Sequence, residues 1–542
     1  MSFTFPSNMF GYVAPTVPLV MLLWFPFILY LFMRLPGQRA ISLGFVLAWL
    51  FLPEAVLPLP GLPDYGKMSA TCYGIFLATF IFDVQRFQYF RLSWIDIPIL
   101  AYCLVPFMSS MTNGLGLYDG VTTTIDQTVT WGFPYFLGRI YLNNLKGMRM
   151  LAIAILVGGL AYVPLCIFEV RFSPQLHSII YGSHAFADFG QAIRMGGFRP
   201  TVFMYHGLAV GGWMMAAALV GIGLWKTGTL KKLRNIPIKF MVPLLVIVVI
   251  LNKSTGAYLM FMMGLGVLGC AWYLRQSLPV IFLVGFMNIY LAQNALTESY
   301  ISDQIVHTLQ PVMSEERMQS LEFRFNNEEI LADKARQQVL FGWGGWGRNR
   351  VYDDEGNDIT VTDSLWIIAY GINGLVGLTG LYWSFFAPIL AFIRRYPART
   401  WTNPQIAPAS LVMVVLLLFM VDTLLNAMTN PVFSVASGGL AGLAVNDTQW
   451  RMFMMSQRRA AFASASPSPV AETGDLEPAT AIAALPEQTE TASTKGINSS
   501  ATVTTDAQEV PSESNYVPQR ETAGIGGAQS PRRRSRRSNA GI

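Results

Sequence analysis

Charged residues are scarce in this chain, and that scarcity is the first constraint on what it does. Asp, Glu, Lys and Arg make up 13% of its 542 residues, against 53% apolar ones. Together with apolar runs of about 18 residues or more through the first 450 positions, this describes a polytopic membrane protein. The formal net charge is only +5 and comes from Lys/Arg clusters between apolar runs and at the C-terminus, so nothing points to a nucleic-acid partner. Cysteine is equally sparse. Cys72, Cys103, Cys166 and Cys270 form no C-x-x-C pair and have no histidine at ligand spacing, which excludes a disulfide framework and a structural metal and leaves buried small hydrophobes. The first residues, MSFTFPSNMFGY, lack a basic n-region and a small-residue cleavage site, so the first apolar run is expected to stay in the chain.

Apolar windows centre near residues 22, 50, 77, 102, 134, 160, 212, 244, 265, 287, 378, 415 and 438, predicting an all-α polytopic fold with about 13 transmembrane helices. Basic clusters fall in alternate connections, at Arg34/Arg39, Arg86/Arg91, Lys146/Arg149, Lys226 to Arg234, Arg275, Arg394 to Arg399 and Arg451 to Arg459. The positive-inside rule puts these in the cytoplasm. The other connections, residues 58–68, 113–127, 171–200, 252–256, 297–362 and 428–431, are then periplasmic. From Thr297 to Asp363 the chain carries six Lys/Arg against thirteen Asp/Glu, an acidic excess that an outer loop tolerates. The membrane domain spans residues 1–450. Residues 451–542, rich in Ala, Ser, Thr, Pro and Glu, are expected to be a disordered cytoplasmic tail. Its last basic run, Arg532 to Arg537, is either solvated or touches anionic lipid.

The long loop of residues 297–362 is the largest polar interruption between spans, and function is sought there. From Arg324, the run RFNNEEILADKARQQVLF reads as an amphipathic helix on the membrane face, with Phe325, Ile330, Leu331 and Leu340 on the apolar side and Glu328, Glu329, Asp333 and Lys334 toward water. It ends in GWGGWG, where Trp343 and Trp346 suit either an interfacial anchor or a stacking surface for a sugar. Val351/Tyr352 and Ile359/Val361 suggest a hairpin around Asp353, Asp354, Glu355 and Asp358; this acidic turn does not have calcium-loop spacing and reads as solvated.

Arg194, Arg199, His206 and Lys253 lie near the same outer face. An arginine there is either a snorkelling interfacial residue or a ligand for phosphate, to which its planar fork donates two hydrogen bonds; several on one face favour the anion site.

In order and spacing these segments resemble the O-antigen ligase and O-antigen polymerase superfamily over roughly residues 130 to 380. Arg324 followed by Gly342 and Gly344 is similar to the family's Arg, short helix and Gly-x-Gly. Asp363-Ser364 followed by GINGLVGL resembles its His-Asn at the head of a span, with the histidine replaced. FRPTVFMYHG, LNKSTGAYL with Lys253 near the usual Arg, and FPYFLGR resemble upstream segments. The resemblance implies transfer of a glycan from an undecaprenyl-diphosphate carrier to an acceptor glycan or lipid at the periplasmic face, with other polysaccharide-assembly proteins as possible neighbours and without cofactor or metal. It also implies arginines on the diphosphate, with Arg194, Arg199, Lys253, Trp343 and Trp346 as binding residues and Arg324, Asp363 and His206 as catalytic ones.

Asp363 in the place of the histidine leans toward a polymerase rather than a ligase, with the carboxylate as general base; the same residue is also a good helix N-cap. Three further readings stay open. One is an enzyme acting on a polyprenyl-monophosphate sugar, and another is a structural assembly partner. The third is a transporter or flippase of lipid-linked oligosaccharide, which would use Glu54, Asp83, Asp96, Glu169 and Asp422 along a polar path.

Overall fold

The computed structural model describes residues 14–455 apart from 58–63, 186–188, 299, 301–305, 307–309, 311–314, 346, 447, 449 and 453. The predicted tail beyond residue 455, including its arginine run, and Trp346 lie outside the described residues.

The chain is mostly helical, as its apolar periodicity requires. In hydrocarbon every backbone N–H and C=O must find an internal partner, and a helix supplies it within one segment. The helices are α1 (Thr16–Arg34), α2 (Gly37–Phe51), α3 (Lys67–Phe82), α4 (Ile97–Thr112), α5 (Leu117–Gln127), α6 (Phe133–Tyr141), α7 (Leu145–Phe172), α8 (Leu176–Tyr181), α9 (Gly207–Lys226), α10 (Ile238–Leu251), α11 (Thr255–Gly269), α12 (Leu278–Leu296), α13 (Glu315–Arg336), α14 (Leu365–Arg395), α15 (Ala407–Asp422) and α16 (Pro431–Val445). Among the described residues seven helical segments are long and apolar enough to cross a membrane, and five shorter apolar helices accompany them. Each apolar window of the sequence falls on a helical segment. Among the described residues, strands are confined to two-residue antiparallel pairs in the connections: β1 (Val56–Leu57) with β2 (Tyr65–Gly66), β3 (Ile193–Arg194) with β4 (Gly197–Phe198), and β5 (Lys232–Leu233) with β6 (Ile236–Pro237).

Helix α9 is nearly enclosed, with α7, α10, α11 and α15 around it. Helix α11 instead turns large apolar side chains such as Leu259 and Met262 outward, the arrangement expected of a lipid-facing helix. Cys72, Cys103 and Cys166 are buried and unbridged, and Cys270 is half-buried.

Helix α13 corrects the expectation for the long loop. It begins at Glu315 rather than Arg324 and packs against α12 and α14 instead of lying alone on the membrane face. Its buried stripe runs Phe325, Glu328, Leu331, Ala332 and Ala335, while Ile330 and Leu340 are exposed. The carboxyl of Glu328, expected to face water, is therefore buried.

The Gly/Trp turn after α13 is spliced into a break in α14. At Gly374 the backbone takes φ 63° and ψ −163°, outside the helical region, and this interrupts the hydrogen-bond ladder of α14. The loop repairs it from both directions. Trp343 and Gly344 donate N–H groups to the carbonyls of Gly371 and Ile372 at 2.9 and 3.0 Å, and the carbonyls of Val339 and Leu340 accept from the N–H groups of Leu375 and Val376 at 2.8 and 3.3 Å. A Cβ at Gly342 would overlap the Ile372 backbone, and one at Gly374 would overlap the Leu340 backbone. Both glycines also have positive φ, so both positions admit only glycine without strain. Ser109 and Asn113 of α4 and its C-cap close the splice by donating to the carbonyls of Ile372 and Gly342, each at 2.8 Å.

The predicted hairpin forms: Tyr352 pairs with Asp358 across a turn with Gly356 at φ 84°. The Asp353 carboxylate accepts from the N–H groups of Glu355 and Asn357, and Asp358 pairs with Arg350. These acids serve the turn itself.

Candidate functional site

A cavity of about 790 Å³ opens among the connections at one end of the bundle. Every connection that the charge pattern assigned to the outer side contributes to its wall: Asp64 and Lys67, Asp126, Arg194 and Arg199, Lys253, Arg324 and Thr362, and Met428. None of the basic clusters assigned to the opposite side lines it. Six of the eight predicted site residues, Arg194, Arg199, His206, Lys253, Arg324 and Asp363, meet here.

Arg194 and Arg199 are presented by the β3–β4 hairpin. Met195 and Gly196 both take positive φ, 48° and 68°, the pattern of a tight two-residue hairpin turn, so the MGG sequence sets where the two guanidiniums emerge. Arg199 is 7% exposed. Its Nη2 reaches the carbonyl of Lys253 at 3.5 Å, and its Nε is buried without a hydrogen bond. Burial, with Arg194 and Arg324 nearby, lowers its pKa to about 10. Among the described residues no carboxylate forms an ion pair with Arg194, Arg199 or Lys253. An unpaired guanidinium in a buried setting is costly unless an anion joins it.

The hairpin and the chain leading to α9 are held by Glu169, at the end of α7. This fully buried carboxylate accepts from the N–H groups of Leu176, Thr201 and Val202 at 2.9, 2.8 and 2.7 Å. Val202 has φ 52°, a left-handed conformation that a β-branched residue adopts only under constraint. The carboxylate supplies the constraint.

Arg324 stands on α13 and faces Asp363 across the wall, Nε to Oδ2 3.5 Å. Its Nη1 also donates to the carbonyl of Leu425 and to Asn426 Oδ1, both at 3.3 Å, and Asn426 Nδ2 donates to Asp422 at 2.8 Å. The contacts are long, so Arg324 is held loosely. The N-cap of α14 is Ser364, not Asp363. That removes the capping role and leaves the Asp363 carboxylate, about one-third exposed, facing the cavity.

Two predicted residues take other roles. His206 is the N-cap of α9: its Nδ1 accepts from the Leu208 N–H at 3.1 Å while Nε2 lies 3.1 Å from Gln191 Oε1. With Nδ1 accepting from a backbone N–H, the neutral ring carries its proton on Nε2 and its lone pair faces the helix, so action as a base would require giving up the cap. Burial and then Arg199, Arg194 and Arg324 lower its pKa to about 4. Trp343 is turned away from the cavity, donating from Nε1 to the Lys334 carbonyl at 2.8 Å with the Lys334 ammonium 4.0 Å from its ring centre. It caps its own helix and is not among the residues that line the cavity.

Lys67, which the sequence did not single out, completes the wall with Glu54. Lys67 pairs with Glu54 at 2.8 Å and donates to the Phe203 carbonyl at 3.1 Å. Behind Arg324 lies the buried Glu328, whose Oε2 accepts from Tyr290 at 3.0 Å. Its place three residues after Phe325 and three before Leu331 was the available signal. No protein-family model matches the chain, and no curated protein matches it.

Proposed function

We propose that this protein is a membrane glycosyltransferase that polymerises or ligates undecaprenyl-diphosphate-linked oligosaccharide units, as in exopolysaccharide or O-antigen synthesis. It works in the bacterial inner membrane, with about 13 spans and the cavity on the periplasmic side. One observation carries the reading: Arg194, Arg199 and Lys253, without carboxylate partners among the described residues, share one cavity with Arg324 and Asp363. Such a cluster suits a diphosphate, and its size suits the sugars attached to it.

In the proposed reaction an acceptor hydroxyl oxygen attacks the anomeric carbon of the donor sugar. The bond from that carbon to the carrier diphosphate breaks, and its electron pair leaves with the diphosphate. Asp363 takes the hydroxyl proton. The guanidiniums of Arg199, Arg194 and Arg324 and the ammonium of Lys253 stabilise the charge that grows on the leaving group, and they are already oriented by the hairpin and by α13 before substrate arrives.

Against the transporter reading, each of its five candidate acids already has a partner, although Glu54 and Asp422 also line the cavity. Asp83 pairs with Arg86 at 2.9 Å, Asp96 with Arg139 at 3.0 Å and Glu54 with Lys67, while Glu169 holds backbone and Asp422 holds Asn426. Purified protein in lipid nanodiscs, given a synthetic polyprenyl-diphosphate oligosaccharide and an acceptor, is expected to extend or transfer the glycan. Cells lacking the protein then accumulate single repeat units on the outer leaflet if it is a polymerase, and long carrier-linked chains if it is a ligase. Accumulation on the inner leaflet, with no transfer by the pure protein, would overturn the enzyme in favour of a flippase.

A further inference from the structure

We propose that Glu328 is a positioning residue that sets the relation between Arg324 and Asp363, and that its protonation state controls how well Arg324 binds an anion in the cavity. The inference rests on the diphosphate-binding reading of that site. It starts from placement. Glu328 follows Arg324 by four residues, one helical turn on the same side of α13, and Ser364, which bears on Glu328 from the head of α14, directly follows Asp363. Arg324 is thus one turn from this carboxyl, and Asp363 is the chain neighbour of a residue that bears on it.

Three helices meet at the side chain. Oε2 accepts from Tyr290 of α12 at 3.0 Å. Oε1 is buried without a hydrogen bond, and so are Ser364 Oγ and Trp366 Nε1 at the head of α14. Both lie near enough to draw the carboxyl pKa down, though not at hydrogen-bonding geometry. The other titratable groups acting on the carboxyl are Arg324 on its own helix and Tyr382 farther along α14; Asp422, on α15, acts on Arg324. Among the buried residues Phe325, Asn327, Leu331, Ala332 and Ala335 of α13, a leucine at this position would pack without the cost of burying a carboxyl.

Burial pushes the Glu328 pKa up to about 7, against the opposing pull of Ser364, Tyr290, Trp366 and Arg324. Below that pH the group is neutral and Arg324 is left to Asp363 and to the cavity. Above it a second carboxylate, one turn away in a water-poor setting, competes for the Arg324 guanidinium and repels an incoming anion. Anion affinity therefore falls as pH rises through about 7.

The test measures binding of a farnesyl-diphosphate-linked glucose, whose two phosphate charges do not change between about pH 6 and 8, to the full-length protein in nanodiscs. The wild type is expected to weaken at least about threefold over that range. Glu328→Gln, which stays neutral and keeps its polar contacts, should hold near the wild type's pH 6 affinity throughout, and Glu328→Ala should be weak at both ends. A Glu328→Gln protein that keeps the wild type's pH-dependent loss overturns the inference, as does a wild type that does not bind the probe. If the probe binds with the Glu328-dependent limb but no glycan is ever transferred, the inference stands and the glycosyltransferase reading alone fails.

Discussion

Arg324 and Asp363 face each other at 3.5 Å, Nε to Oδ2, from two elements that the chain brings together across thirty-eight intervening residues. One stands on a helix of the long loop and the other lies two residues before α14. A pair this long and partly exposed contributes little to stability, so its substitution reads out chemistry more than folding. Arg324→Lys cannot reproduce the fork that holds two phosphate oxygens and is expected to lose most transfer activity at normal expression. Asp363→Asn should lower turnover by about 100-fold or more if the carboxylate takes the acceptor proton. Transfer from a synthetic lipid-diphosphate donor measures both; near-normal turnover in either variant removes that residue from the reaction.

His206 should behave as a cap. Because its pKa is lowered to about 4 in the folded protein from about 6.5 when unfolded, protons bind the unfolded chain more readily. Stability is therefore full above about pH 6.5 and is lost as pH falls toward 4, by up to about 3 kcal/mol. Thermal unfolding of His206→Asn, which keeps a capping oxygen, should lack this acid limb while transfer at pH 7.5 stays within a few-fold of wild type. A loss of about 100-fold in transfer by a well-folded His206→Asn protein would restore the histidine to the chemistry.

Gly342→Ala and Gly374→Ala each place a Cβ against the opposing backbone at a positive φ, and each is expected to cost about 3 kcal/mol or more. Gly356→Ala, at the tip of the exposed hairpin with open space around it, should cost about 1 kcal/mol. Detergent-challenge unfolding ranks the three; equal losses would mean that the splice in α14 is not specially intolerant.

Membrane orientation has a direct check. A membrane-impermeant maleimide applied to intact spheroplasts is expected to modify Asn357→Cys and to spare Arg234→Cys, because the two lie on opposite sides by the charge pattern. The reverse labelling would place the cavity in the cytoplasm.

The apolar windows were enough to find the helices, and the alternation of basic clusters was enough to gather the connections that line the cavity. Both are local or additive signals, readable without knowing what packs on what. Glu328, Trp343 and Gly374 were not legible, for one shared reason. Each takes its role from a distant partner: Tyr290 and the head of α14 for the carboxyl, Lys334 for the indole ring and the backbone of Leu340 for the glycine. Asp363 lost its capping role to a neighbour one residue along, a shift below the resolution of boundary reading.

The splice between the Gly/Trp turn and α14 also bears on how the chain is made. The carbonyls of Val339 and Leu340 find their partners in Leu375 and Val376, which leave the ribosome some thirty-five residues later by the sequence numbering. Until then those two carbonyls lack the partners that hold the turn in place. The second half of α14 likewise has no intact helix to extend. The turn and the break in α14 are therefore expected to order together, and a chain truncated before residue 375 should leave α13 open to protease.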